Sequence, residues 1–160
     1  MLFKLELLQL PMNTFNKAVN KFFEHLTIFG SITFFSVITL LLIVLKDYDK
    51  ALLLIYGMIL IYLVAVSIRL FYFKERPKKL RYGNFIEKID AGSFPSIHAA
   101  RAVFLFLFLT GLVFADRMVM IFLFLVMLLI IYSRVYLKKH YWIDVICGAG
   151  LGYITSWLVI

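Results

Sequence analysis

Residues 118–144 read MVMIFLFLVMLLIIYSRVYLKKHYWID, and this stretch decides the fold because an apolar run ends in a cluster of ionisable residues. As a helix, the apolar part 118–135 spans about 27 Å at roughly 1.5 Å per residue, close to the hydrocarbon thickness of a bilayer. His140 and Asp144 follow with the i, i+4 spacing that puts two side chains on one helix face. Because a carboxylate inside a membrane helix is costly, Asp144 marks a functional position.

Four further apolar runs lie at 27–45, 51–73, 99–115 and 142–160, and 64% of the 160 residues are hydrophobic. This proportion exceeds that of an ordinary globular domain, and the length fits one domain. We therefore predict an all-α integral membrane protein with about five transmembrane helices in a core of residues 27–160. The whole chain, 1–160, is predicted to form one membrane-embedded domain.

Residues 1–26 have a different pattern. Phe15, Val19, Phe22 and Leu26 fall at helical spacing, and polar or charged residues occupy the opposite face. This amphipathic pattern is typical of a helix that lies in the membrane interface, and the segment carries too many charges to span the bilayer. We expect an interfacial amphipathic helix within residues 1–26.

With five crossings, the loop 74–95 and the turn 137–141 open on the same membrane face, which also receives the N-terminal segment. This face carries 14 of the 17 Lys and Arg residues and six of the nine acidic residues. The positive-inside rule would make it cytoplasmic, although a site that binds anions gathers cations for its own reasons. Nucleic acid is excluded as a partner, because the charges lie at a membrane boundary without an aromatic stacking platform.

Three polar blocks occur in a fixed order along the chain. They are Arg69 with Arg76-Pro77, then Pro95-Ser96-Ile97-His98, and then Ser133-Arg134 with His140 and Asp144. Their order and spacing resemble the pattern of the type 2 phosphatidic acid phosphatase (PAP2) superfamily, which is K-x6-R-P, P-S-G-H and S-R-x5-H-x3-D. The third block matches at every specified position, whereas Arg69 replaces the usual Lys and Ile97 replaces the usual Gly.

The resemblance implies a membrane enzyme that hydrolyses a lipid phosphate monoester, or a diphosphate, through a phosphohistidine intermediate. His140 would be the nucleophile, Asp144 would orient its ring, and His98 would protonate the leaving alcohol and then activate water. The phosphate would be held by Arg69, Arg76, Arg134 and the Ser96 hydroxyl group. Because guanidinium groups would supply the positive charge, no metal and no other cofactor is expected.

Two alternatives stay open. A lipid phosphotransferase would use the same phosphohistidine and pass the group to a second lipid or a sugar. A nonenzymatic membrane protein with a degenerate site would account for Arg69 and Ile97.

Arg101 either contacts the substrate or forms a structural ion pair. Other basic residues form a second basic shell that attracts anionic lipid surfaces or guides a phosphorylated headgroup. This shell consists of Lys78, Lys79, Arg81, Lys138 and Lys139.

The expected partner is a membrane lipid phosphate. The resemblance implies phosphatidylglycerol phosphate, phosphatidate, polyprenyl diphosphate and the 1-phosphate of lipid A as candidates, and the sequence does not select among them. It also implies a multi-pass protein of the inner cell membrane whose site lies at the extracytoplasmic face, in contrast to the positive-inside rule. The oligomeric state is left open by the sequence.

Overall fold

The computed structural model describes residues 14–78, 80, 82–113 and 116–160, with side chains from residue 16 onward. Within these ranges it contains seven α-helices and no β-strand. The helices are α1 (Thr14–Leu26), α2 (Ile32–Val44), α3 (Tyr48–Phe71), α4 (Phe85–Ala91), α5 (Ile97–Phe108), α6 (Arg117–Tyr136) and α7 (Trp142–Val159). A 3-10 turn, Thr27–Gly30, joins α1 to α2, and a π-helical turn, Leu109–Val113, continues α5.

Three of these helices, α3, α6 and α7, are long and apolar enough to cross a membrane. A fourth crossing results if α1, the 3-10 turn and α2 count as one span that bends by 45°. With its π-helical turn, α5 is apolar but shorter. The predicted all-α membrane class is confirmed, and the protein is a multi-pass membrane protein. Within the described residues, length and composition support three or four crossings, so the count of five that the apolar runs predicted is not confirmed and stays a prediction.

The amphipathic pattern of residues 1–26 falls partly on α1, and residues 1–13 lie outside the described part of the chain. Phe23 attaches α1 to α6, because its ring centroid lies 5.8 Å from that of Tyr132 and 4.6 Å from that of Tyr136. These aromatic contacts hold α1 beside the C-terminal end of α6, where the third sequence block lies. The position of α1 relative to the membrane interface stays a prediction.

A close helix contact joins α5 to α7 through two glycines of α7. A Cβ atom at Gly148 would collide with the backbone of Ser96, and one at Gly152 would collide with the backbone of Ala100. Glycine at both positions lets the backbone of α5 lie directly on α7. The Ser96 N–H also donates to the backbone carbonyl of Asp144 at 2.9 Å. This contact places the second and third sequence blocks side by side.

An apolar core lies between α2, α3 and α5. Phe35, Leu54, Ile61 and Phe104 are each at most 1% exposed, and the ring of Phe104 lies directly over Gly57. Because lipid tails are as apolar as these side chains, the core holds the helices by close packing rather than by exclusion of water. The same packing gives a defined spacing to α3 and α5, which carry the first and second sequence blocks.

Candidate active site

The three sequence blocks meet at one end of the helix bundle, where α3 and α6 end and α5 and α7 begin. A cavity of about 220 Å³ lies at this end. The described residues that line it are Tyr62, Arg69, Arg76, Asp90, Ile97, His98, Arg101 and His140. The remaining predicted site residues, Ser96, Arg134 and Asp144, are buried in the helix ends around it. Tertiary structure thus collects in one region the residues that the sequence singled out.

His140 lies in the turn between α6 and α7 and is 2% exposed. Its Nδ1 atom is 2.7 Å from the backbone carbonyl oxygen of Ser93. A carbonyl oxygen only accepts, so Nδ1 carries the proton and Nε2 keeps its lone pair. Burial, with the nearby charges of Arg134 and Arg76, lowers the pKa of His140 to about 3. The ring is therefore neutral at physiological pH, as a nitrogen nucleophile requires.

Asp144 was predicted to hold one nitrogen of the His140 ring, and the structure assigns that hydrogen bond to Ser93 instead. The Asp144 Oδ2 atom is 4.0 Å from His140 Nδ1, which is too long for a hydrogen bond. Oδ2 accepts from the Tyr141 N–H at 2.9 Å, and Oδ1 accepts from Lys74 Nζ at 2.6 Å. Asp144 thus caps α7 and pairs with a lysine, while its negative charge stays close to the imidazole.

Ser96 forms the N-cap of α5 and positions His98 two residues later. Its hydroxyl oxygen accepts from the Ala99 N–H at 3.4 Å, and its own N–H donates to Asp144. The Ser96 hydroxyl oxygen and the Ser96 N–H are therefore both hydrogen-bonded within the protein. The start of α5 thus offers fewer free polar groups to a bound anion than a helix start without these bonds would. Gly30 of the 3-10 turn lies against the His98 ring, where a larger residue would have little room.

Four arginines surround or line the cavity, and all are largely buried. Arg69 donates to the backbone carbonyl oxygens of Ile89 at 3.3 Å and of Pro95 at 3.0 Å, and Arg76 donates to that of Asp90 at 2.7 Å. Burial lowers the pKa of Arg76 from its ordinary value. In the described part of the chain, one buried donor of each arginine lacks a hydrogen-bond partner: the Nε atoms of Arg69, Arg76, Arg101 and Arg134.

Buried cationic donors without acceptors are costly in the absence of an anion. Phosphate groups are suited to satisfy such donors, because their oxygens accept several hydrogen bonds at once and guanidinium groups bind them in a bidentate manner. The arrangement is therefore suited to hold a phosphoryl group against the imidazole of His140.

The second basic shell lies partly along a separate polar cavity of about 660 Å³. Lys78, Lys138 and Lys139 line it together with Asn16, Asn20 and Glu24 on the polar face of α1. Lys79 and Arg81, the other predicted members, lie outside the described residues. The backbone bond from the Lys78 N–H to the Lys138 carbonyl, 3.0 Å, ties the two basic segments together.

Sequence reasoning missed Lys74 and Ser93. Lys74 lies two residues before Arg76 and was treated only as one charge in a basic loop, yet its Nζ lies 4.7 Å from the ring centroid of Tyr141 and pairs with Asp144. Ser93 acts through its backbone carbonyl, which no side-chain pattern can reveal. Its position two residues before Pro95 was the available signal.

Among the described residues, no group of three or more His, Cys, Asp and Glu side chains is placed to hold a metal ion. Most of the polar side chains that line the cavity are instead imidazoles and guanidinium groups, beside one carboxylate, Asp90, and the phenol of Tyr62. Such groups bind anions. The protein is therefore a multi-pass helical membrane protein with a cationic, histidine-containing cavity at one end of the helix bundle.

Within that class, the sequence model of the PAP2 superfamily matches residues 50–160, and the chain belongs to this superfamily. The resemblance inferred from the three blocks is thereby confirmed. Comparison with curated proteins gave no match.

Two crystal structures are similar to this chain. One is LpxE of Aquifex aeolicus, with 26% sequence identity and a TM-score of 0.73 over 89% of this chain and 85% of that chain. The other is a transmembrane PAP2-type phosphatidylglycerolphosphate phosphatase from Bacillus subtilis, with 22% identity and a TM-score of 0.71. It covers 88% of this chain and 74% of that one, and its similarity concerns the fold alone.

Proposed function

We propose that this protein is a membrane lipid phosphatase that hydrolyses a phosphate monoester, or a diphosphate, through a phosphohistidine on His140. The observation that carries the proposal is the state of His140, a buried neutral imidazole with Nδ1 held by Ser93. It lines a cavity in which buried arginine donors lack acceptors within the described residues. Membership of the PAP2 superfamily supports the same reaction.

In the first step, His140 Nε2 attacks the phosphorus atom of the lipid phosphate. Arg69, Arg76 and Arg134 bind the phosphoryl oxygens and stabilise the charge of the transition state. The bond from phosphorus to the lipid oxygen breaks, and His98 donates a proton to that oxygen. The imidazolium that forms is stabilised by the Ser93 carbonyl and by the Asp144 carboxylate at 4.0 Å.

In the second step, water releases the phosphate. His98, now neutral, takes a proton from a water molecule whose oxygen attacks phosphorus, and the bond from phosphorus to His140 breaks. Inorganic phosphate leaves and both imidazoles return to their starting states. Guanidinium groups supply the positive charge in both steps, and we propose that the reaction needs no metal ion.

The finer arrangement in the membrane is also part of the proposal. Residues 1–160 form one membrane-embedded domain that crosses five times, with α5 and its π-helical turn as a short crossing and residues 1–26 in the interface. The protein lies in the inner membrane, and its site opens at the extracytoplasmic face.

Labelling with a membrane-impermeant maleimide tests which membrane face carries the site. In a Cys147→Ala background, Lys88→Cys, near the site, should react in intact cells. Lys46→Cys, at the other end of the bundle, should not.

The decisive experiment measures phosphate release by the detergent-purified protein from phosphatidate, phosphatidylglycerol phosphate, a polyprenyl diphosphate and lipid A 1-phosphate. The wild type should release phosphate from at least one lipid with a chelator present, and His140→Ala should not. An alkaline quench of the wild type during turnover should preserve a phosphoryl group on His140 that mass spectrometry detects, and His140→Ala should lack it. If His140→Ala were as active as the wild type, the proposal would fail.

The same assay separates the two alternatives. Phosphate that appears on a second lipid or sugar, with little free phosphate in the absence of that acceptor, would identify a phosphotransferase. Wild-type protein that released no phosphate and labelled no histidine would favour a nonenzymatic membrane protein, whose cellular function should then survive His140→Ala.

A further inference from the structure

Arg101 is a buried cation that the proposed mechanism does not use. It lies one helical turn past Ile97 in α5 and is 7% exposed. Its Nε atom has no hydrogen-bond partner within the described part of the chain. Moving a guanidinium group out of water costs several kcal/mol unless a partner compensates. An anion that reaches Arg101 would provide this compensation.

The cavity places Arg101 on the bilayer side of the phosphate-holding residues. Tyr62 and Arg69 both line the cavity from α3, and seven residues separate them by about 10 Å along the helix axis. Arg69 lies near the end of the helix and Tyr62 deeper in it. Tyr62 is 44% exposed on a membrane-spanning helix, so the cavity reaches the lipid-facing surface beside it.

On α5, Arg101 lies about 4.5 Å deeper than His98, on the same helix face because the spacing is i, i+3. It therefore lies between the end of the cavity where His140 acts and the side where a lipid tail would leave. Any group of the substrate next to the scissile phosphate, on its lipid side, would pass Arg101.

The charges in the cavity leave Arg101 in excess. Asp90 is the one acidic side chain among the described lining residues, and it comes from α4, next to Arg76 rather than to Tyr62. A phosphate monoester carries about −1.5 to −2 at neutral pH. With the opposing charge of Asp90 taken into account, Arg69, Arg76 and Arg134 already balance that charge. A fourth buried guanidinium group at the lipid side calls for a second anionic group.

We infer that Arg101 binds a second phosphoryl group on the lipid side of the scissile phosphate, and that lipids carrying such a group are the preferred substrates. This inference rests on the proposed phosphatase function. Two kinds of lipid share the required chemistry: a lipid diphosphate, and a lipid whose terminal phosphate monoester is joined to a phosphodiester. A planar guanidinium group is suited to either, because it can bind two phosphate oxygens at once.

With a lipid diphosphate, the first step forms a bond between His140 Nε2 and the terminal phosphorus and breaks the bond from that phosphorus to the bridging oxygen. The electron pair stays on the bridging oxygen, which takes the proton of His98 and becomes part of a lipid monophosphate. Arg101 stabilises this developing charge. The oxygen of a water molecule then attacks phosphorus while His98 takes a proton from that water, and the bond from phosphorus to His140 breaks. The products are one lipid monophosphate and one inorganic phosphate for each water consumed.

The test uses two matched substrate pairs with the purified full-length protein in detergent. The first pair is a prenyl monophosphate and the diphosphate of the same chain length, and the second is phosphatidate and phosphatidylglycerol phosphate with the same acyl chains. We expect the wild type to favour the doubly phosphorylated member of at least one pair by ~10-fold or more in kcat/KM. The pair that shows the preference identifies which kind of lipid is bound.

Arg101→Gln should lower kcat/KM for the preferred substrate by ~10-fold or more and that for its monophosphate partner by less than ~3-fold. Arg101→Lys keeps the charge and should recover part of the preference. Arg117→Gln, at the other end of the bundle, is the matched control and should preserve it.

A wild type without preference in either pair would overturn the inference while leaving the phosphatase proposal intact. Equal losses on both members of a pair in Arg101→Gln, with a lowered unfolding temperature, would assign Arg101 a structural role and would also overturn it. No phosphate release by the wild type from any of the four lipids would instead overturn the proposed function itself. If Arg101→Gln does not fold, the wild-type preference and Arg101→Lys still decide the outcome.

Discussion

Two lysine–carboxylate pairs, one at each end of the helix bundle, have the same length and differ in burial. Lys50 Nζ lies 2.6 Å from Asp47 Oδ2, and Lys74 Nζ lies 2.6 Å from Asp144 Oδ1. Both side chains of the first pair are 34% exposed, whereas Asp144 is 0% and Lys74 24% exposed. Because water screens the first pair far more than the second, equal distances imply unequal contributions to stability.

The two ends also use their charges differently. At the end away from the site, Asp47 caps α3 and Asp116 caps α6, so the carboxylates serve the helices. At the site end, Lys74 forms an ion pair with the buried carboxylate of Asp144. Arg134 has a buried Nε atom without a hydrogen-bond partner in the described residues. The site end thus retains unsatisfied positive charge, as expected of a protein that binds an anion.

The largest effect on stability is expected from Lys74→Met. It leaves the buried carboxylate of Asp144 without its ammonium partner, and breaking a buried pair costs ~3–5 kcal/mol. Because Lys74 is partly exposed, we expect a loss of about 3 kcal/mol in the free energy of unfolding. Chemical unfolding in detergent measures this free energy. Lys50→Met is the matched control, because it removes a lysine from a lysine–aspartate pair of the same length. Equal losses in the two variants would show that burial does not distinguish the pairs.

A double-mutant cycle sharpens the same comparison. Asp144→Asn removes the buried charge, so Lys74→Met/Asp144→Asn should be more stable than Lys74→Met alone. We expect a coupling of about 1–3 kcal/mol between Lys74 and Asp144, as found for residues in direct contact. Additive effects, within ~0.5 kcal/mol, would mean that the 2.6 Å contact does not persist in solution.

Arg134→Met should separate activity from stability. Charged hydrogen bonds contribute ~1.5–3 kcal/mol each, so losing those to the phosphate should lower kcat/KM by ~10- to 100-fold. The unfolding temperature should stay the same or rise, because an apolar side chain removes a buried, unsatisfied cation. Arg117→Met, at the other end, should leave kcat/KM unchanged. A strong fall in stability in Arg134→Met would show that the protein itself satisfies this guanidinium group.

The pH dependence of stability tests the environment of His140. Its ordinary pKa of 6.5 is lowered to about 3 in the folded protein. Between these values the unfolded chain binds a proton that the folded chain excludes, so stability is complete above about pH 6.5 and declines as pH falls toward about 3. Unfolding temperatures from about pH 7 to about pH 4 should therefore fall less in His140→Gln than in the wild type. Parallel curves would contradict a neutral, buried imidazole.

The smallest effect is expected from Lys50→Met. Its pair with Asp47 is exposed to solvent and screened by salt, so its loss should have little effect on the unfolding temperature. Activity should be unchanged, because Lys50 lies at the end of α3 away from Arg69. A loss of activity would mean that the two ends of the bundle are coupled through α3.

Much of the fold follows from local properties of the sequence. The apolar lengths of α3, α6 and α7 correspond to the bilayer thickness. The i, i+4 spacing of His140 and Asp144 predicted a shared helix face, but His140 lies in the turn before α7, and the two side chains approach to 4.0 Å from that turn. The amphipathic stripe of residues 1–26 did not include Phe23, which makes the aromatic contacts to α6. Helical periodicity identifies a polar and an apolar face, and it does not identify which ring of the apolar face meets a neighbour.

The candidate site shows the same limit. Spacing identified His140, His98 and the arginines, because each block is a local pattern. It did not identify the hydrogen-bond acceptor of His140 Nδ1, because that acceptor is a backbone carbonyl 47 residues earlier in the chain. It also gave no role to Lys74, which is 70 residues from Asp144 in sequence.

By itself, the sequence determined an all-helical membrane protein and the identity of its superfamily, since apolar length, helical spacing and motif order are properties of neighbouring residues. Only the tertiary structure decided which hydrogen-bond or ion-pair partner each polar side chain of the site has. The Ser93 carbonyl accepts the hydrogen bond of the His140 imidazole, Lys74 pairs with the Asp144 carboxylate, and Arg101 faces the cavity. The reason is physical: in a buried site, hydrogen bonds and ion pairs go to the groups that packing brings within about 3 Å, however far apart they are along the chain.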